Sequence, residues 1–182
     1  MEVFFNDLKR QFILNFIEKD RWKLMVTGLE NTLKITIVAA IIGIFIGILL
    51  ASIRSTYDKQ YETLKKHKGF KYYVLSFLNF IAQVYLTVIR GTPVVVQLLI
   101  AFFIIFASAK NGVAIAMLAF GINSGAYVAE IFRGGIMAID NGQFEAGYSL
   151  GFNYFQTMIF IVIPQVLKNV LPMLLNEFIA LL

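Results

Sequence analysis

From Ile35 to Ile53 the chain reads ITIVAAIIGIFIGILLASI, 19 residues without a charge between Lys34 and Arg54. A bilayer core is crossed by about 20 residues of helix, so this run predicts a first span over about 35–53. Ala39, Gly43, Gly47 and Ala51 recur in it every four residues. That spacing puts them on one helix face, where small side chains let another helix approach closely. From Tyr72 to Ala129 the only charges are Arg90 and Lys110. This is too long for one crossing, and the turn residues of SAKNG, Ser108 to Gly112, divide it. A second span is predicted over about 81–107, containing RGTPVVVQLL, and a third over about 113–133, where Glu130 and Arg133 arrive. A fourth, about 158–182, carries Pro164 and Pro172 and is interrupted by Lys168 and Glu177. The first 31 residues have no uninterrupted apolar core of a signal peptide. Phe5, Leu8, Phe12 and Phe16 recur there at helical spacing, with Lys9, Arg10 and Lys19 off the stripe. Two readings fit residues 1–31: an amphipathic arm in the membrane interface, or a frayed terminus.

The segments between the spans set a topology. RSTYDKQYETLKKHKGFK, Arg54 to Lys71, holds six Lys/Arg against Asp58 and Glu62. The positive-inside rule makes residues 54–72 a cytoplasmic loop and puts the N-terminus outside. Three spans then leave Gly134 to Gln156 in the cytoplasm. That placement rests on counting, because the segment lacks Lys and Arg of its own and carries Asp140 and Glu145.

Composition agrees with the pattern. Hydrophobic residues make up 59% and charged residues 15%, with a mean hydropathy of +0.75. Soluble domains sit nearer half apolar and a quarter charged, so the chain reads as an integral membrane protein. The net charge of +5 is concentrated in the basic segment and reports topology, not nucleic-acid binding. There is no cysteine, hence no disulfide or thiolate chemistry. His67 is the single histidine and stands among lysines, which points to a solvated loop residue and no metal site. No lysine is followed by Ser or Thr, so a phosphate-cradling loop is absent from the sequence. No nucleophile–base pair is visible, and no catalytic residue is expected.

Polar groups at membrane depth are the functional candidates. Glu130 and Arg133, three apart on a presumed helix, can pair at the cytoplasmic rim or line a polar path. Asn123, Ser124 and Tyr127 on the preceding turns can line the same path or bond across helices. The other candidate is GQFEAGYSLG, Gly142 to Gly151. Its glycines mark helix boundaries, which predicts a two-turn helix over about 142–151. Phe144 and Tyr148 share a face, Ala146 and Leu150 another, and Glu145 falls in the first turn, where its charge suits the helix dipole. Two turns do not hold alone in water. A partner protein can cover this helix, or it can lie on lipid.

GQFEAGYSLG followed by IFIVIPQ resembles the EAA signature of permease subunits of bacterial ATP-binding cassette importers. The matching residues are Glu145, Ala146, Gly151, Ile161, Ile163 and Pro164, with Gly147 in place of the third residue, alanine. RGTPVVVQLL, SGAYVAEIFRGGIMAIDNGQFEAG and GLENTLKIT are similar to segments of the polar amino acid permeases, and the resemblance covers about Gly28 to Leu182. It implies an all-α integral membrane bundle of the type I importer permease kind, with a transmembrane domain over 32–182 and four spans of an expected five.

The resemblance further implies transport of a polar amino acid by alternating access. Gln143, Phe144, Glu145, Ala146, Gly147, Tyr148 and Gly151 would form a coupling helix docked on a separate ATPase subunit. The path through the bundle would take in Asn123, Tyr127, Glu130 and Arg133. The implied partners are two ATPase subunits, a second permease (itself or a paralogue) and an extracellular amino-acid-binding protein. ATP and magnesium would sit on the ATPase, with no cofactor on this chain. The implied localisation is the bacterial cell membrane. The alternative is a degenerate or truncated permease acting as a non-transporting membrane scaffold.

Overall fold

A computed structural model describes residues 1–18, 20–66 and 69–182. Lys19 and His67, two of the residues weighed above, lie outside them. Everything described is helix or short connection. The elements are α1 (Glu2–Phe12), α2 (Arg21–Lys66), α3 (Phe70–Gly91), α4 (Val94–Ile100), α5 (Gly112–Met137), α6 (Asn141–Ser149), α7 (Tyr154–Thr157) and α8 (Ile163–Leu181). Three wider, π-type stretches, Ile13–Glu18, Ala101–Ile105 and Met158–Val162, continue α1 and α4 and join α7 to α8. Four helical segments among the described residues are long and apolar enough to cross a membrane: Arg21–Tyr61, Phe70–Gly91, Gly112–Met137 and Tyr154–Leu181.

Two sequence expectations are corrected. The segment 54–72, expected as a loop, continues α2 as helix through Lys66. Lys, Gln, Glu and Leu are good helix formers, and no glycine or proline interrupts them before Gly69. Charge density marks the end of the apolar run, not the end of the helix. At 1.5 Å per residue α2 is about 69 Å long, more than twice a hydrocarbon core of about 30 Å.

The span expected over 81–107 is instead two helices. The aromatic run from Phe70 already belongs to α3, which is long enough by itself. It stops because Pro93 pushes the residue before it out of the helical region: Thr92 has φ −116° and ψ 140°. Pro93 then caps α4. With its wide turn, α4 runs Val94–Ile105 and is too short to cross alone. Pro164 has a similar effect downstream. It lacks an amide hydrogen, and the wide turn Met158–Val162 ends just ahead of it, with α8 starting at Ile163.

The core is a seam between α2 and α5. The predicted stripe faces α5: Ala39 and Ala51 are fully buried. A Cβ placed on Gly47 would fall 2.4 Å from Val128 Cγ1, and one on Gly43 would fall 2.8 Å from Ser124 Oγ. Glycines of α5 answer from the other side, Gly121 against Ile42 and Gly125 against Ile46. The two backbones therefore meet with almost no side chain between them, the close approach that small residues permit in lipid. On its far side α5 packs through Phe132 and Ile136 against Val162, Val166 and Val170 of the last helix. Phe77, Phe80, Ile81, Val84 and Val88 of α3 point outward and stay exposed, as lipid-facing residues do.

Candidate functional site

The short helix α6 is built into the bundle at one end. Asp140 caps it, its Oδ1 accepting from the Gly142 amide at 2.6 Å. The helix begins at Asn141, one residue ahead of the predicted start. Glu145 is therefore not in the first turn, and the carboxylate that suits the helix dipole is Asp140. The helix ends as the glycine pattern predicts. Gly151 takes φ +82°, and the Phe152 amide donates to Gly147 O at 3.0 Å.

Phe144 was expected on an exposed docking face and is instead buried. Its ring joins the core with Phe132, Met158 and Val162 and stacks on Tyr154 at 6.5 Å between centroids. Gly147 is buried too. A Cβ there would fall 2.6 Å from Thr157 Oγ1, so the glycine serves a close contact with α7. Gln165 Nε2 donates to Gln143 Oε1 at 3.1 Å, tying α6 to α8. The outward face consists of Gln143, Glu145, Ala146, Tyr148 and Leu150. Leu150 is 72% exposed and Tyr148 48%, so this face is apolar and acidic at once.

The predicted partners Glu130 and Arg133 do pair. Arg133 Nε and Nη2 each lie 3.3 Å from Glu130 Oε2. The pair belongs to a longer ionic chain. Arg90 Nη1 of α3 is 3.6 Å from Glu130 Oε1, and Arg133 Nη1 is 3.1 Å from Asp58 Oδ2 of α2. Three helices thus meet through alternating charges. The Arg90 guanidinium also lies over the Tyr127 ring at 5.7 Å. Beside the chain is a polar cleft of about 470 Å³ lined by Arg54, Gln83, Thr87, Arg90 and Glu130. The Arg54 Nε is buried without a hydrogen-bond partner. The cleft carries more positive than negative charge and presents one carboxylate. Such a lining suits an anionic group next to a cationic one.

Asn123 bonds across helices. Its Nδ2 donates to Gln97 Oε1 at 3.1 Å. Gln97 Nε2 in turn donates to Ile89 O at 2.7 Å and to Thr92 O at 3.0 Å and Oγ1 at 2.7 Å. The two carbonyls among them are the backbone groups freed where α3 breaks. Irregular backbone at membrane depth persists only where such partners exist. Ser124 is fully buried against Gly43.

The sequence reading missed Asp58, Lys59, Arg90 and Gln97. For Arg90 the signal was available, since it is one of only two charges in the run Tyr72 to Ala129. For Asp58 and Lys59 it was not. Both were counted as loop charges, and their partners lie 75 and 82 positions away.

Comparison with known proteins places this geometry. The family model described as binding-protein-dependent transport system inner membrane component matches residues 69–182. The arginine transport system permease protein ArtQ of Bacillus subtilis is 39% identical over 160 residues, 86% of this chain and 65% of that protein. The putative glutamine transport system permease protein GlnP of Rickettsia felis is 35% identical over 174 residues, 94% of this chain and 71% of that protein. The chain therefore spans about two thirds of the length of these relatives. Among solved structures, an amino acid ABC transporter crystallised with histidines superposes with a TM-score of 0.71 at 36% identity, over 91% of this chain and 71% of that one. The MetNI methionine ABC transporter in inward-facing form superposes equally well, 0.71 at 20% identity, and shares the fold.

Proposed function

The chain belongs to the family of binding-protein-dependent transport system inner membrane components, and from that membership we propose that it is the transmembrane permease subunit of an ATP-driven importer of a polar amino acid. It works by alternating access, with a second permease subunit, two ATPase subunits and an extracellular binding protein. The names of its relatives, which carry arginine and glutamine, support a polar amino acid as cargo.

The observation that carries the reading is α6. It is too short to stand alone, and the bundle holds it through Phe144 and Gly147. Its opposite face leaves Glu145, Ala146, Tyr148 and Leu150 uncovered. A soluble ATPase subunit is the partner such a face suits, because it lies at the cytoplasmic end. That placement has support beyond counting spans. Lys59 of the basic segment donates to Asn141 of α6 at 2.8 Å, so both occupy one side of the membrane, and the positive-inside rule assigns that side. The N-terminus is then outside. The cleft between Arg54, Arg90 and Glu130, with Tyr127 beside it, is the part of the bundle suited to pass a zwitterion.

Glu145→Arg in the assembled transporter tests the docking role. It reverses a charge on the uncovered face and leaves the buried contacts in place. Uptake and the ATP hydrolysis stimulated by loaded binding protein are expected to fall at least tenfold, while the permease itself keeps its thermal stability. Unchanged coupling would sink the assignment.

A further inference from the structure

Beyond docking, α6 is held by the bundle in two places. One attachment is to its chain neighbours: Gly147 against Thr157, Gln143 to Gln165, and Phe144 on Tyr154. The other is to α2. Lys59 stands six positions past Ile53, the last residue of the uncharged run, on the stretch of α2 that continues beyond it. Its Nζ donates to Asn141 Oδ1 at 2.8 Å and lies 4.7 Å from the centroid of the Phe144 ring. One ammonium group thus caps the buried aromatic anchor of α6 and holds its first residue. Lys59, Asn141 and Phe144 also line a groove of about 500 Å³, together with Gln60, Glu145 and Tyr154.

We propose that Lys59 is a positioning residue that fastens α6 to α2, so that a displacement of α6 moves α2 as well as the last helix. This rests on the docking reading above and adds the route by which the displacement enters the bundle. The neighbouring residue makes that route productive. Asp58 holds Arg133 of α5, Arg133 holds Glu130, and Glu130 faces Arg90 of α3. A shift of the basic end of α2 therefore reaches both the glycine seam with α5 and the charged wall of the cleft. The test reads motion as well as activity.

The transporter is purified as the complex of this permease with its co-expressed ATPase subunits, in lipid nanodiscs. Nitroxide labels on Lys66→Cys and Ser149→Cys, one on the α2 extension and one on α6, report their separation. In the parent the distance distribution is expected to keep its mean and width with and without ATP, and in Lys59→Met to broaden or divide. Lys59→Met is expected to lower binding-protein-stimulated ATP hydrolysis at least fivefold. Lys59→Arg, which keeps a cation over the ring and a donor to Asn141, restores it to within twofold. If the two labels move independently in the parent, the fastening does not exist, and this outcome needs no destabilising variant. Stimulation by Lys59→Met within twofold of the parent overturns the proposal as well. A Glu145→Cys crosslink to the ATPase separates this failure from that of the docking reading. With the crosslink present, only the role of Lys59 falls; with it absent, the docking reading falls and the fastening with it.

Discussion

The glycine seam between α2 and α5 and the charged junction where the end of α2 meets α6 and α5 lie on the same long helix and are built in opposite ways. At the seam, contact is possible because side chains are missing: Gly43, Gly47, Gly121 and Gly125 let two backbones meet. At the junction, contact is possible because side chains are long: Lys59 reaches Asn141 and Phe144, and Asp58 reaches Arg133. Close-packed small residues have one geometry and tolerate little displacement. Long side chains reach over a range of distances and stay partly solvated. One helix therefore carries a grip of backbone on backbone in its apolar middle and a grip of side chain on side chain at its charged end.

The contrast can be broken most severely at the seam. Gly47→Val sets branched carbons where a single Cβ already falls 2.4 Å from Val128 Cγ1 and 3.0 Å from the Ala129 amide nitrogen. Overpacking of this kind costs about 1–3 kcal/mol or more. The expected outcome is loss of monodisperse protein in detergent, or a fall of many degrees in melting temperature; a parent-like melt would show that the helices can separate freely.

Gly147→Ala asks whether the junction end also contains a close-packed point. The added Cβ meets Thr157 Oγ1 at 2.6 Å and Cγ2 at 2.7 Å, so destabilisation of about 1–2 kcal/mol is expected. Thr157→Ala in the same chain should recover most of it. A single variant as stable as the parent means that α6 does not sit against α7 as described.

The smallest effect is expected from Asp58→Asn. Its carboxylate is paired with Arg133, but both side chains keep more than a quarter of their exposure, at 27% and 29%. Such pairs contribute about 0–1 kcal/mol, and Arg133 retains Glu130. The melting temperature should move little, and raising the salt concentration should erase what difference remains. A loss comparable to that of Gly47→Val would reverse the ranking of the two regions.

The same contrast explains what could be read from the sequence. The seam was legible because a repeat of small residues every four positions is local and has one structural meaning. The ends of α6 were legible to within a residue or two from Gly142 and Gly151, and the Glu130–Arg133 pair from its spacing. The junction was not, because its partners are far apart in sequence and a lysine among lysines carries no mark of having one. The inward turn of Phe144 was also hidden. Periodicity gives a helix two apolar pairs but does not say which faces the bundle. The length of α2 was not legible because polar residues end only the apolar part of a helix, not the helix itself. The break before α4 was underread because Pro93 was placed inside a span, although it forces Thr92 out of the helical region.

Gln97 decides how the break between α3 and α4 is sealed. The break at Thr92–Pro93 frees carbonyl groups in an apolar setting, and one side-chain amide takes them in. That amide has two hydrogens shared among three oxygens, those of Ile89, Thr92 and the Thr92 hydroxyl, and its own oxygen is steadied by Asn123. With more acceptors than hydrogens, neither hydrogen of the amide is left idle. The gap between α3 and α4 is thus sealed by side chains of α4 and α5, which take the place water would otherwise fill.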